Sequence, residues 1–377
     1  MMLSYAFSLN SVILTGLRWH LRRMRHFSTG GTMTTSLLKP VATPAAARKE
    51  TSSRYDNGRF YNLDPTEKVP HQLWKIFKAL LFGNYPRRVP DKYIPIQTLT
   101  AAILDNLAED AAVAYRLGHS SLLLKLDGHF WLTDPVFSER ASPVQFLGSR
   151  RFHQPPISVS ELPPIKAVIL SHNHYDHLDK HTILQLADKV EYFVTPVGVG
   201  LDLQKWGIDP VCIIECDWWQ SIRIGETEFT ATPAQHFSGR SLGDRDGTLW
   251  CSWVIKGQQK KLFFSGDSGY FSGFKHIGQE YGPFDITFIE TGAYSDLWPD
   301  VHMTPEQSVQ AHIDLRGKGM VPIHNGTFSL SFHPWDEPFE RVSKAAQEQQ
   351  VTLHTPLIGA PLDLDEPGET EAWWRLE

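Results

Sequence analysis

Short apolar runs broken by turn signals dominate the chain from about Ala112 onward. Ser121–Leu126 and His129–Thr133 flank Asp127-Gly128, a dipeptide that accepts the left-handed backbone of a tight hairpin turn. Ile165–Leu170, Tyr192–Thr195, Ile222–Ile224, Glu228–Thr232, Leu249–Ile255, Lys261–Phe264, Ile286–Ile289 and Val321–Ile323 read as further strands. Helical spacing falls between some of them, at Thr182–Ala187, Pro305–Asp314 and Pro338–Gln349. This mixture predicts an α/β fold of stacked sheets covered by helices. No repeat with a period of about 20–50 residues is visible, which excludes solenoids and propellers.

Upstream the pattern changes. Leu73, Ile76, Phe77, Leu80 and Leu81 share one broad face of 72–82, Lys75 and Lys78 sit apart from it, and Gly83 and Pro86 follow. A short amphipathic helix is predicted there, packed on the main domain or resting on lipid. Met2–Leu17 is uncharged but interrupted by Ser4, Ser8, Asn10, Ser11 and Thr15, short of the ~20 apolar residues of a spanning helix. The basic cluster Arg18–Arg25 follows that stretch, whereas a secretory signal carries its charge first. The division expected is a basic leader at 1–50, an N-terminal extension at 51–110, a main domain at 111–365 and a tail at 366–377. The leader reads as disordered, as an organelle (mitochondrial) transit peptide, or as an over-long start with Met24 or Met33 as initiator. Without targeting, the expected location is cytoplasmic or peripheral to a membrane.

Charge sharpens this division. The formal −6 combines a leader with seven basic residues and one acid with a remainder of 29 basic and 41 acidic residues. A remainder at −12 argues against nucleic acid as ligand. At 41% hydrophobic and 21% charged the composition is globular. Cys212, Cys216 and Cys251 are too few for a disulfide framework and are expected to be buried, inert thiols. Seventeen histidines are many, and histidine is the commonest metal ligand.

The decisive segment is Ala167–Asp179, where an apolar strand runs into His172, His174, Asp176 and His177. Alternation in extended chain puts His172 and His174 on one side, and a turn into helix aims Asp176 and His177 at a neighbouring position. Two adjacent metals then each receive two ligands. Imidazole with carboxylate suits zinc, with iron and manganese admissible. Both sites remain incomplete, and three later strands end in ligand-type residues: His236, Asp267 and His324.

These motifs resemble the metallo-β-lactamase superfamily, over about Tyr115 to Gly359. The resemblance implies an αββα sandwich with two metals at one edge. It places His172, His174 and His236 on the first metal, Asp176, His177 and His324 on the second, and Asp267 across both. Leu117-Gly-His-Ser120, Leu132-Thr-Asp-Pro-Val-Phe137, Pro233-Ala-Gln-His236, Gly292-Ala-Tyr294, His302-Met-Thr-Pro-Glu306 and Ile323-His-Asn-Gly-Thr-Phe328 are similar, in order, to the N-acyl-phosphatidylethanolamine-hydrolysing phospholipase D group. That likeness implies a two-zinc phosphodiesterase whose activated hydroxide releases N-acylethanolamine and phosphatidic acid. Asp176 would orient the hydroxide. His302 would bind phosphate or protonate the leaving oxygen, Tyr294 would line the pocket, and His119 and Asp134 would support ligands from behind. The partners implied are a phospholipid substrate, a membrane surface met peripherally and a second copy of the chain in a homodimer. The alternative is a soluble hydrolase of the same fold acting on a small lactone or phosphate ester.

Overall fold

The computed structural model describes residues 53–66, 75, 78, 85–241 and 243–375. The basic leader lies outside them, as does the 72–82 helix apart from Lys75 and Lys78, both helical and exposed. No described helix is long and apolar enough to cross a membrane.

A first hairpin pairs β1 (Arg54–Asp56) with β2 (Arg59–Tyr61). The main domain opens with an antiparallel meander of β3 (Val113–Gly118), β4 (Ser121–Leu126) and β5 (His129–Thr133). A small hairpin of β6 (Arg140–Ala141) and β7 (Ser149–Arg150) projects after it. Three parallel strands follow: β8 (Ile165–Ile169), β9 (Val190–Pro196) and β10 (Ile213–Cys216). The second half repeats the plan. β11 (Ser221–Ile224), β12 (Thr227–Thr232), β13 (Ser252–Lys256) and β14 (Lys261–Phe264) pair antiparallel. β15 (Phe284–Glu290), β16 (Gly317–Ile323) and β17 (Thr352–Leu353) then extend the sheet in parallel. Finally β18 (Pro361–Asp363) returns to β3. The result is two seven-stranded sheets, ordered β10-β9-β8-β5-β4-β3-β18 and β11-β12-β13-β14-β15-β16-β17.

Alternation along β4 explains the layers. Leu122, Leu124 and Leu126 pack with Phe229, Trp253 and Phe264 of the second sheet, whereas Leu123 turns to the opposite face. There it meets Ile183 and Leu186 of α2 (Lys180–Leu186) and Leu203 of α3 (Gly200–Lys205), while the short α1 (Ala101–Asp105) adds Leu104. Phe274 and Ile277 of α4 (Gly273–Tyr281), Val309 of α5 (Pro305–Asp314) and Val342 of α6 (Glu337–Glu348) cover the second sheet. Both faces of each sheet are buried, so the strands read as near-continuous apolar runs. The expected αββα sandwich is the fold.

Local chemistry sets several boundaries. Asp127 (φ 50°) and Gly128 (φ 77°) make the anticipated hairpin turn. Asp179 accepts the His181 N–H at the start of α2, and Thr304 accepts the Gln307 N–H at the start of α5. The strand expected at Leu249 begins only at Ser252, because the Leu249 and Cys251 amides bond instead to Val197 and Ser171 in loops of the other sheet. Helix α4 is absent from the sequence expectation, since Gly273 and Gly278 depress its helical propensity. Gly278 is required by packing: a Cβ there would lie 2.0 Å from the Asp314 carbonyl oxygen. All three cysteines are free and buried, as expected.

One directional fact positions everything that follows. In the first sheet β3, β5 and β8 run the same way, and in the second so do β12, β14, β15 and β16. Since Leu124 is fully buried between the sheets, Leu124→Ala is expected to cost about 2–5 kcal/mol of stability, read as a lower midpoint in urea unfolding with an unchanged m-value.

Candidate metal centre

Each of these seven strands ends near one polar cluster. β3 leads to His119, β5 to Asp134 and β8 to His172–His177; β12 leads to His236, β14 to Asp267, β15 to Glu290 and β16 to His324. The chain turns sharply at many of these ends. His119 (φ 53°), Asp134 (φ 34°), Gly266 (φ 55°) and His324 (φ 62°) all take the left-handed backbone, a strain that side chains other than glycine's adopt only where surroundings enforce it. At Gly266 a Cβ would come within 2.5 Å of Ser171 Cβ, so the β14 and β8 ends touch here without one.

Two groups of ligand atoms result. His172 Nε2 lies 2.9 Å from His174 Nδ1, which lies 3.2 Å from His236 Nε2. Asp176 Oδ2 lies 3.5 Å from His177 Nε2, 3.3 Å from His324 Nε2 and 3.1 Å from His119 Nε2. Asp267 spans the groups. Its Oδ1 is 3.0 Å from His177 Nε2, and its Oδ2 is 3.1 Å from His324 Nε2, 3.7 Å from His236 Nε2 and 3.9 Å from His172 Nε2. The residues assigned to each metal by resemblance are thus brought together as two sets with Asp267 shared. His119, expected behind the ligands, stands beside Asp176 within the second set.

The electrostatics match a cationic occupant. Burial lowers His172 and His236 well below the ordinary histidine range, His174 to about 4 and His119 to about 3, leaving neutral rings with lone pairs to share. Burial also opposes charge on His177 and His324, but neighbouring carboxylates, Asp267 foremost, hold His177 well above its ordinary value and His324 at about 10. Those imidazolium charges occupy the place a cation would take. His177 Nε2 and Asp267 Oδ1, 3.0 Å apart, are both buried without a hydrogen bond. An ion between them would satisfy both. The donor set, imidazoles with carboxylates around two adjacent positions, fits divalent metal.

Behind the cluster, hydrogen bonds fix the rings. Asp134 is fully buried; its Oδ2 accepts from His177 Nδ1 at 2.7 Å and from Ser171 Oγ at 2.6 Å, and its Oδ1 from the Ser171 amide. His236 Nδ1 donates to the Val301 carbonyl at 2.8 Å, turning Nε2 inward. His302 meets Glu290 Oε1 through Nδ1 at 2.5 Å and groups with His236 and Asp267. Burial raises the Glu290 carboxyl. Glu290 is the residue that sequence reasoning missed, although Ile286–Ile289 runs into it as other strands run into His236 and Asp267. His302 also lines a cavity of about 530 Å³ with Tyr294, Gln307, Phe332 and Arg341. Tyr294 is in the wall, its hydroxyl donating to Glu337 Oε1 at 2.6 Å.

Known proteins fit this picture. A family model described as beta-lactamase superfamily domain matches residues 129–325. A Mycobacterium tuberculosis protein is 40% identical over 91% of this chain and 93% of its own length. An N-acyl-phosphatidylethanolamine-hydrolyzing phospholipase D of Caenorhabditis elegans is 33% identical over 68% of this chain and 77% of its own. A mitochondrial protein of the same name from Saccharomyces cerevisiae is 31% identical over 61% and 51%. Among solved structures, an isothiocyanate hydrolase from Delia radicum gut bacteria superposes with a TM-score of 0.54 at 21% identity, over 66% of this chain and 97% of that one. The chain belongs to the beta-lactamase superfamily, as a metal-dependent hydrolase of that fold.

Proposed function

We propose that the protein is a zinc-dependent phosphodiesterase that cleaves N-acyl-phosphatidylethanolamine at a membrane surface, releasing N-acylethanolamine and phosphatidic acid. The observation that carries this reading is His302, which belongs at once to the cluster around Asp267 and to the wall of the open cavity. The likeness to the worm and yeast proteins supports the substrate.

His172, His174 and His236 would hold one divalent cation and Asp176, His177 and His324 a second, with Asp267 shared; when bound, these ions would supply Lewis-acid charge to phosphoryl oxygens and an acidified water. Asp267 keeps the two groups in register. Asp176, whose side chain is 16% exposed while its partner rings are buried, orients the attacking water by accepting a hydrogen bond. Glu290 holds His302 by Nδ1, so His302 Nε2 is the atom that gives a proton to the departing ethanolamine oxygen. The bond from phosphorus to that oxygen breaks, the water oxygen takes its place, and no protein nucleophile is needed. Tyr294, pinned by Glu337 and stacked under the Arg341 guanidinium at 4.8 Å, gives the cavity a rigid wall.

Purified protein is expected to convert N-acyl-phosphatidylethanolamine to both products by mass spectrometry, and turnover of small lactones with none of this lipid would refute the assignment. Asp267→Asn is expected to abolish hydrolysis while the circular dichroism spectrum stays that of a folded protein. Asp134→Asn leaves one acceptor oxygen where Ser171 and His177 use two, removes the negative charge behind His177, and is expected to weaken metal binding about 10–100-fold, measured by competition with a chelator.

A further inference from the structure

A second cavity, of about 890 Å³, lies between segment 88–93 and the chain that follows β7. Its walls carry Arg88, Lys92, Arg150 and Arg151 against two carboxylates, Asp91 and Glu139. Local charge is thus positive on an acidic protein. Arg150 is committed to Glu139, Nε to Oε1 at 2.5 Å. Arg151 has no direct ion pair: Asp179 balances its charge at longer range, and its guanidinium lies 5.6 Å from the ring centre of Phe328. Arg151 is only 7% exposed, its Nη atoms reach just the Val136 and Phe137 carbonyls at 3.3 and 3.5 Å, and its Nε has no partner. Arg88 Nε is likewise buried without a partner. A buried guanidinium without a directly bonded carboxylate is costly, and its planar fork matches phosphate oxygens.

The rim of this cavity is apolar and exposed. Tyr93 (97%) and Phe146 (84%) are the two most exposed large hydrophobic side chains among the described residues. Val89 and Tyr93 belong to the 88–93 wall. Phe146 and Leu147 sit in the turn of the β6–β7 hairpin, whose Ser149 and Arg150 form the other wall. Exposed apolar tips beside unpaired cations suit the boundary between lipid headgroups and acyl chains. The surface also continues to the catalytic cavity. The Arg88 guanidinium lies 5.6 Å from the ring centre of Phe332, and the Tyr85 ring lies 4.5 Å from it; Phe332 and Tyr85 both wall the cavity of His302.

We infer that this second cavity binds the phosphate of an anionic phospholipid headgroup, with Tyr93, Phe146 and Leu147 entering the bilayer beside it. The inference rests on the lipid reading above and adds a lipid site separate from the catalytic cluster. It seats the mouth of the catalytic cavity on the membrane.

The test uses the full chain with vesicles of phosphatidylcholine alone or with added phosphatidic acid. Amide hydrogen exchange is expected to slow in segments 85–93 and 140–150 only when phosphatidic acid is present. In flotation, Arg88→Gln and Lys92→Gln are each expected to weaken binding about fivefold, and Phe146→Asp to weaken it further. Thermal melts check that the variants fold, and the exchange pattern of the wild-type chain decides if one does not. Binding through the basic leader alone would leave 85–93 unprotected and overturn the inference. So would calorimetric binding of inorganic phosphate with no preference for phosphatidic acid vesicles. Protection of both segments without hydrolysis of N-acyl-phosphatidylethanolamine keeps this site and removes the substrate reading; hydrolysis without protection does the reverse.

Discussion

Four carboxylates, Asp134, Asp176, Asp267 and Glu290, are packed among seven imidazoles in a site where Asp134, Asp267 and Glu290 are 0%, 3% and 0% exposed. Burying negative charge at this density is tolerable only with positive charge between the oxygens. Protons on His177 and His324 supply some of it, and divalent cations supply it better, because one ion serves several donors at once. The cluster draws residues from both sheets: His119, Asp134 and His172–His177 from the first, His236, Asp267 and His324 from the second. It therefore cannot assemble until the two sheets are packed, and once occupied it ties them together. The site and the sandwich core are thermodynamically linked, each needing the other.

Strand direction is what makes this economical. Antiparallel neighbours alternate their ends, so β4 and β13 deliver nothing to the cluster, while every strand running the other way between β3 and β8 and between β12 and β16 delivers a polar residue. The parallel blocks β5-β8 and β14-β15-β16 set consecutive carboxyl ends side by side, which packs Asp134 against Ser171 and His177, and Asp267 near Glu290 and His324. The left-handed turns at His119, Asp134 and His324 then bend the side chains inward instead of along the strand axis. The strain of those turns is balanced locally, for example by the His119 amide bonded to Thr327 Oγ1 at 2.7 Å and the His324 amide bonded to the His119 carbonyl at 3.1 Å.

Much of this was legible in sequence because it is local. The hairpin at Asp127-Gly128, the helix at Pro305 and the density of ligands after Ile169 each depend on neighbours along the chain. Glu290 was legible by the strand-end rule, yet a single Glu after a strand is usually a solvated charge, and only the contact with His302 distinguishes it. His119 illustrates the opposite limit. Its place after a strand suggests support of a ligand, but its partner, Asp176 at 3.1 Å, is set by the packing of β3 against β4 and the β16 turn, which no local pattern encodes. Helix α4 was hidden for a related reason, since the glycines that weaken its signal are demanded by the Asp314 carbonyl on another element.

Segment 85–93 has no periodicity, and its position follows from tertiary anchors. Arg87 pairs with Asp336, and the Trp335 amide donates to the Arg87 carbonyl at 2.8 Å. These contacts hold Arg88 beside Phe332, so one strip of irregular chain separates the catalytic cavity from the cationic one. The formal charge of −6 opposes approach to an anionic surface at long range. At physiological salt such repulsion is screened beyond about 8 Å, and what the surface meets is the local sign of the rim. On the proposed lipid site, the favoured orientation is the one that presents Tyr93 and Phe146. The same strip that gives this orientation carries Tyr85 into the wall around His302. If both proposals hold, orientation on the membrane and access to the reacting phosphate are set by the same residues.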